Sequence, residues 1–391
     1  MRQPSPAAIA AVLLQLCSGT ACERPVKSAQ GGIPVIEAVE DLRIDAVEHD
    51  LGPVSWAGVS PSGVIALIQG QDHAVRLFDS SGKAIATVGR EGAGPGEFER
   101  PVRGGWIADT LWISDTQLRR VTMIGPQGDL LGTITPSTTI TGPPEAVERY
   151  AASTPWAMYG RDTLLIWSLR NNDRNETEGP PLIRITVNGF VVGEVTRTPS
   201  DDDSGVSVPV GNGVVYGQVP FYPRSYWVVR PDGEAVAILT TDSSDPAKPV
   251  FRVRVISARG AELVSRVYPF EPVPIESSAL DSALDSHLQR RDPSLRSELE
   301  NKLRPMAPSI YPGVTGIVLG HDELIWVGLW PKEDSKPWLI LDEKGDPLGQ
   351  LNLKGNQTLV AAARGQAWVV ERDTLDLESV VRYRLTWPQR P

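Results

Sequence analysis

Four histidines, His49, His73, His287 and His321, are the side chains best able to hold a metal or move a proton, and no two share a place in any repeated pattern. A catalytic zinc takes three protein ligands, so a histidine triad is not expected. Asp201, Asp202 and Asp203 form a dense carboxylate run that offers oxygen donors to Ca²⁺ or stands as a solvated loop. Ser/His/Asp nucleophilic catalysis has no local signature. The stretch GREGAGPGEFERP, residues 89–101, places four glycines in eight positions and raises the question of a phosphate loop. Such a loop needs a strand before it, a helix after it and a Lys-Ser/Thr pair. Here VRGGWIADTLWISD follows, strand-like throughout and without that pair, so the stretch reads as a mechanical joint. Arg100 and Arg103, on and just after it, are cations able to meet an anionic group. Trp56, Trp106 and Trp227 stand near candidate strands, where aromatic walls suit sugars or peptides.

The elements that must position these residues are visible as repeats. Six fifteen-residue stretches align without gaps, at 75–89, 121–135, 182–196, 226–240, 253–267 and 338–352. Each opens with a β-rich apolar run and carries glycine at its eighth place: Gly82, Gly128, Gly189, Gly233, Gly260 and Gly345. Alternation buries one face of each strand, and glycine accepts the positive φ of the reversal. Asp79, Asp232 and Asp342 occupy the turns, where a short carboxylate bonds nearby backbone. A shorter pattern, DTLWISD (109–115), DTLLIWS (162–168), DELIWVG (322–328) and GQAWVVE (365–371), lies upstream of most of these hairpins. Its tryptophans, Trp112, Trp167, Trp326 and Trp368, are expected in the core.

Two hairpins make one four-stranded unit, and such units arranged radially make a β-propeller. The reading is an all-β chain with six blades of four antiparallel strands, at about 54–89, 104–135, 156–197, 226–268, 313–353 and 357–387. A rival segmentation of the fourth blade takes 206–240 instead. The sixth blade lacks a fourth strand, which residues 40–49 can fill by pairing the two chain ends. Residues 206–223 read as a long connection with a turn at Asn212-Gly213. Residues 275–306 break the β pattern: Leu280, Leu284 and Leu288, then Leu295, Leu299 and Leu303, recur every fourth place. They predict an inserted helical hairpin, capped at Ser277 or Ser278 and at Asp292-Pro293, with its leucines on one face of the propeller. It is read as a packing clamp, with a lid as the alternative.

The run VGREGAGPGEFERP followed by DTLWISDTQLRRV resembles the NHL-repeat and related six-bladed propellers of bacteria. In those, a GPGEF crossing precedes a strand pair ending in an Asp and a basic residue, places held here by Asp115, Arg119 and Arg120. The resemblance is specific over about 50–135 and looser to 391, including a helical insertion late in the chain. Loop expansions at 171–181 and 199–205 depart from it. Some relatives are lactonases, sugar-acid hydrolases or an amidating lyase that gather carboxylates, Asn or His around a metal. The resemblance thus implies a metal-assisted hydrolase or lyase as the alternative reading.

The chain of 391 residues carries a net charge of −10, and an acidic surface is a poor partner for nucleic acid. Its two cysteines, Cys17 and Cys22, both precede the body, which therefore has no disulfide framework and no cysteine metal site. Arg2, the apolar run at 7–16 and the small residues at 18–21 read as an export signal. Gly-Thr-Ala-Cys resembles a bacterial lipoprotein cleavage box that would leave Cys22 lipidated; the alternative is plain cleavage after Ala21. The domains expected are a signal at 1–22, a tether at 23–39 and the propeller at 40–391. The function expected is an exported cell-envelope binding or scaffolding propeller, periplasmic or held at the outer membrane by its lipid. Its partner is a protein, peptide or carbohydrate on one face. It acts as a monomer without a resident cofactor, and Ca²⁺ is the one ion kept open.

Overall fold

The structure is a computed structural model that describes residues 32–168, 179–200, 204–363 and 365–387. The segment expected to be an export signal, Cys22, most of the expected tether and Asp201–Asp203 lie outside the described residues. The described chain forms six four-stranded antiparallel sheets and one separate two-stranded hairpin. Blade 1 spans 56–88, blade 2 101–134, blade 3 155–197, blade 4 226–269, blade 5 314–354 and blade 6 357–386. The fourth blade is therefore the 226–268 alternative.

In all six aligned hairpins the eighth-place glycine has φ between 77° and 88°. At Asp79 the mechanism is explicit. Its carboxylate accepts from the Ser81 and Lys83 amides at 2.8 and 3.0 Å, while the Gly82 amide donates to the Asp79 carbonyl at 2.9 Å. The register slips between Leu77 and Phe78, and between Met123/Ile124, Arg184/Ile185, Val255/Ile256 and Ile340/Leu341, so five of these turns carry a bulge that the glycine accommodates, while the Gly233 hairpin pairs without one.

Blade 6 is completed by strand Glu37–Ile44, which pairs antiparallel with Glu378–Thr386 from Glu37↔Thr386 to Ile44↔Val380. This strand begins ahead of residue 40, and residues 46–50 turn away from the sheet. Five clusters of buried apolar side chains lie in the seams between blades.

The joint at 89–101 runs between blades 1 and 2. Phe98 is fully buried in that seam, and a Cβ on Gly89 would stand 2.4 Å from its ring. Glu97 accepts from the Gly94 amide at 2.7 Å and from Arg90 Nε at 2.9 Å. Arg120 donates to the carbonyls of Ala93, Gly94 and Glu97, and Asp115 accepts from the Glu99 and Arg100 amides at 2.8 and 3.1 Å. Of the three residues singled out for their places after the crossing, Asp115 and Arg120 are its anchors, while Arg119 takes a positive φ of 53° in the turn between them.

After a short helix α1 (Pro144–Arg149), the main insertion is α2 (Ser277–Leu288) and α3 (Pro293–Leu303). Asp292 caps α3 through the Ser294 amide at 3.0 Å. Ser277 is already inside α2, whose N-cap is Glu276 without a side-chain bond. The leucines do not lie on the propeller itself. Leu284, Leu288, Leu299 and Leu303 bury against Val208 and Val219, in and just beyond the 205–218 hairpin. The reason is local: that hairpin has its own apolar face, and a Cβ on Gly217 would meet Leu299 at 2.8 Å. The two insertions share one small core.

Candidate functional site at the entry end of the axis

Each blade begins with an inner strand: Trp56–Val59, Pro101–Ile107, Pro155–Tyr159, Tyr226–Val229, Val314–Leu319 and Gln357–Ala363. The end at which the chain enters these strands is called the entry face here. Four of them slip register at their start, between Pro101/Arg103, Pro155/Ala157, Val314/Gly316 and Leu359/Ala361. A bulge bends a strand and re-aims the side chain at the extra residue. In blade 3 that residue is Trp156.

The re-aimed Trp156 ring meets Arg103 of blade 2, whose Cζ lies 3.5 Å from the ring centroid. On blade 4, Trp227 lies 4.3 Å from Trp156, tilted by 31°. Trp167, the last residue of its strand, stands 6.1 Å from Trp156 and 6.4 Å from Trp227. Its indole Nε1 donates to Thr198 Oγ1 at 3.1 Å, which fixes the ring. One guanidinium and three indoles from blades 2, 3 and 4 therefore form a continuous half-buried wall. Burial pushes the Arg103 guanidinium below its ordinary value, and no carboxylate among the described residues pairs with it. The indole N–H groups of Trp156 and Trp227 donate to no described residue.

The other end of the axis is closed. The Pro231 carbonyl, on the first turn of blade 4, accepts from the Trp106 amide of blade 2 at 3.0 Å. His321, on the first turn of blade 5, hydrogen-bonds the Val59 backbone of blade 1. Arg230 joins Asp232 at 2.9 Å and Glu323 at 3.4 Å across the same face. Trp56 packs against the core between blades 1 and 2, its ring also 3.0 Å from where a Cβ on Gly104 would stand. A Cβ on Gly58 would stand 2.3 Å from its ring, so the missing side chain makes its place.

Of the residues anticipated from sequence, Arg103 and Trp227 come together. Trp56 is half-buried against the core between blades 1 and 2, beside Gly58 and Gly104. Arg100 is exposed on the crossing, held through its backbone. Trp106 is a correction: at 1% exposure it belongs to the core between blades 1 and 2, because a two-residue alternation turns it into the seam. Trp112, Trp326 and Trp368 are buried as expected, but Trp167 is half-buried because it ends its strand at the entry face. Trp156 was missed. The signal available was the shared Pro-X start of PVR and PWA, residues 101–103 and 155–157.

The wall does not fit a metal. Ca²⁺ takes six to eight oxygen ligands, and here a guanidinium and indoles face the ligand side. Among the described residues no group of three His, Cys, Asp or Glu side chains converges anywhere. The arrangement suits an anion: a desolvated guanidinium makes strong charge-assisted bonds, and indoles give flat apolar faces.

No family model matches the chain, and no curated protein matches it. Solved structures with a similar course of the chain include a member of the DUF4221 family from Bacteroides vulgatus, 9% identical, with a TM-score of 0.46 over 92% of this chain and 100% of that one. Virginiamycin B lyase from Staphylococcus aureus is 11% identical, with a TM-score of 0.36 over 90% of this chain and 99% of that one. Regucalcin, a calcium-binding protein from Agrobacterium tumefaciens, is 12% identical, with a TM-score of 0.36 over 90% of this chain and 97% of that one. The likeness concerns the fold alone, and the fold is a six-bladed β-propeller.

Proposed function

We propose that this chain is an exported binding propeller whose entry face captures a carboxylate-bearing saccharide. The observation that carries the reading is Arg103, half-buried and stacked on Trp156 with no carboxylate beside it among the described residues. A ligand carboxylate supplies the missing partner, and a lone guanidinium fork suits one carboxylate. The saccharide is favoured over an aromatic side chain because Trp156 and Trp227 already touch. They leave no slot for a third ring and present a broad surface for the C–H face of a sugar.

The test is a fluorescence and calorimetric titration with oligouronates, their neutral counterparts and peptides ending in a free carboxylate. Binding of oligouronates, weakened at least tenfold by Arg103→Ala, supports the reading. Equal binding of the neutral sugars, or preference for the peptides, overturns it.

The same reading includes export and a lipid on Cys22, supported by the apolar run at 7–16 and the Gly-Thr-Ala-Cys box. The mass of the N-terminal peptide from protein made with its own leader tests it. The Gly-rich crossing with its Asp115 and Arg120 anchors supports grouping the chain with NHL-like propellers.

A further inference from the structure

Away from the axis, the seam between blades 4 and 5 holds a cleft of about 820 Å³. Its existence has a local cause. Between blades 1 and 2 the crossing inserts Phe98 and closes the seam. Between blades 4 and 5 the chain instead leaves at Phe270 for the α2–α3 insertion and returns at Gly313. A Cβ on Gly313 would stand 2.6 Å from the Phe270 ring, so Phe270 lies flat on the returning backbone, 6.5 Å from Phe251, and closes only the inner part of the seam.

The walls are aromatic and aliphatic. Phe251 and Tyr268 stack at 5.0 Å on one side, and Tyr311 and Trp330 stack at 5.0 Å towards the entry face. The Tyr268 hydroxyl donates to the Gly345 carbonyl, and burial raises its pKa. It is not free to orient a polar ligand. Lining residues extend from Lys332, before strand Ser335–Leu341, to Pro347, after it. That seven-residue strand spans roughly 20 Å at about 3.3 Å per residue, and Leu339 lines the cleft between its two ends. Charges stand at one end only: Lys332 and Glu271, 3.7 Å apart and 73% and 80% exposed, with Glu333 beside them.

We propose that this cleft binds one alkyl chain of a zwitterionic amphiphile. The chain lies along the aromatic seam, Lys332 meets the head-group phosphate, and Glu271 and Glu333 meet the ammonium. Length and apolar lining select an extended aliphatic chain, and the paired signs at the rim select a head group carrying both charges. Ile33 forms part of the wall, so the residues just before Gly32 are the competing occupant.

The test uses purified protein and lysophosphatidylcholine below its micelle concentration, read by calorimetry, with a bromine-labelled chain as a fluorescence quencher. One molecule per protein is expected, and Trp330→Phe should remove most of the quenching. Val273→Asp and Ile33→Asp, each at positions 41% exposed, should keep the fold and weaken binding at least tenfold. Lys332→Glu should weaken it several-fold, and a neutral monoacylglycerol should bind less tightly than the zwitterion. Binding that is absent, or unchanged in Val273→Asp, overturns the proposal. So does binding that appears only after the residues before Gly32 are removed, which assigns the cleft to the chain itself.

Discussion

Arg103 lies 3.5 Å from the centroid of the Trp156 ring and ties the inner strand of blade 2 to that of blade 3. Exposed cation–π contacts contribute about 0.5–1 kcal/mol and desolvated ones about 2. Arg103→Ala should therefore lower unfolding free energy by no more than about 2 kcal/mol while removing anionic-ligand binding. Arg103→Lys should recover most of the stability but little of the binding, because an ammonium lacks the planar fork. Denaturant curves and ligand titrations on the two variants separate these effects. Equal binding by both variants and the parent would refute the role of Arg103.

Asp115 is fully buried, and each of its carboxylate oxygens accepts from two backbone amides. Asp115→Asn keeps one oxygen and presents an NH₂ group to the amides the other had served. Leaving buried donors unsatisfied costs about 1–3 kcal/mol, more for charged groups. The expected result is a fall in unfolding free energy of at least about 2 kcal/mol, measured by chemical denaturation. A neutral substitution would show that the crossing does not depend on this anchor.

Burial pushes the His321 imidazole below its ordinary value of 6.5. The unfolded chain takes up a proton near that pH, whereas the folded chain does so only at lower pH. In the interval the unfolded state binds more protons, so stability rises with pH. This contribution is complete above about 6.5 and is lost as pH falls from there towards the folded value. His321→Gln should flatten that part of the profile between pH 5 and 7.5, followed by urea midpoints. A profile unchanged by the substitution would assign the slope to other groups.

Strand Glu37–Ile44 covers the edge of Glu378–Thr386. Removing residues before 46 opens the ring and exposes an unpaired edge. The truncated chain should unfold non-cooperatively and associate, seen as a broadened thermal transition and a rising apparent mass by light scattering. A monomer with a sharp, unshifted transition would show that blade 6 stands without its closing strand.

The blades were readable because their information is local. A strand pair announces itself by alternation, and a turn such as Asp79–Gly82 by the residues its backbone angles demand. The joint at 89–101 was readable for the same reason, since a loop followed by strand-like residues cannot form a helix-capped phosphate site. The four-residue spacing of the leucines likewise marked Leu284 and Leu299 as buried, though not against what.

The site was only half readable. Arg103 could be named as a candidate from its place just after the crossing, and Trp227 from its place near a strand. Trp156 and Trp167 could not, because what brings them in is a register slip at Pro155/Ala157 and a strand that ends one residue beyond Ile166. Both are decided by pairing with a neighbouring strand, and a one-residue shift sends a side chain to the other face.

By itself the sequence determined the number of blades, the closure of the ring by its two ends and the paths between successive units, since short-range periodicity specifies these. Only the tertiary structure decided which side chains converge on the axis, which seam stays open and which face the inserted helices cover. Those outcomes depend on contacts between residues far apart in the chain, set by bulges and packing that no local pattern encodes.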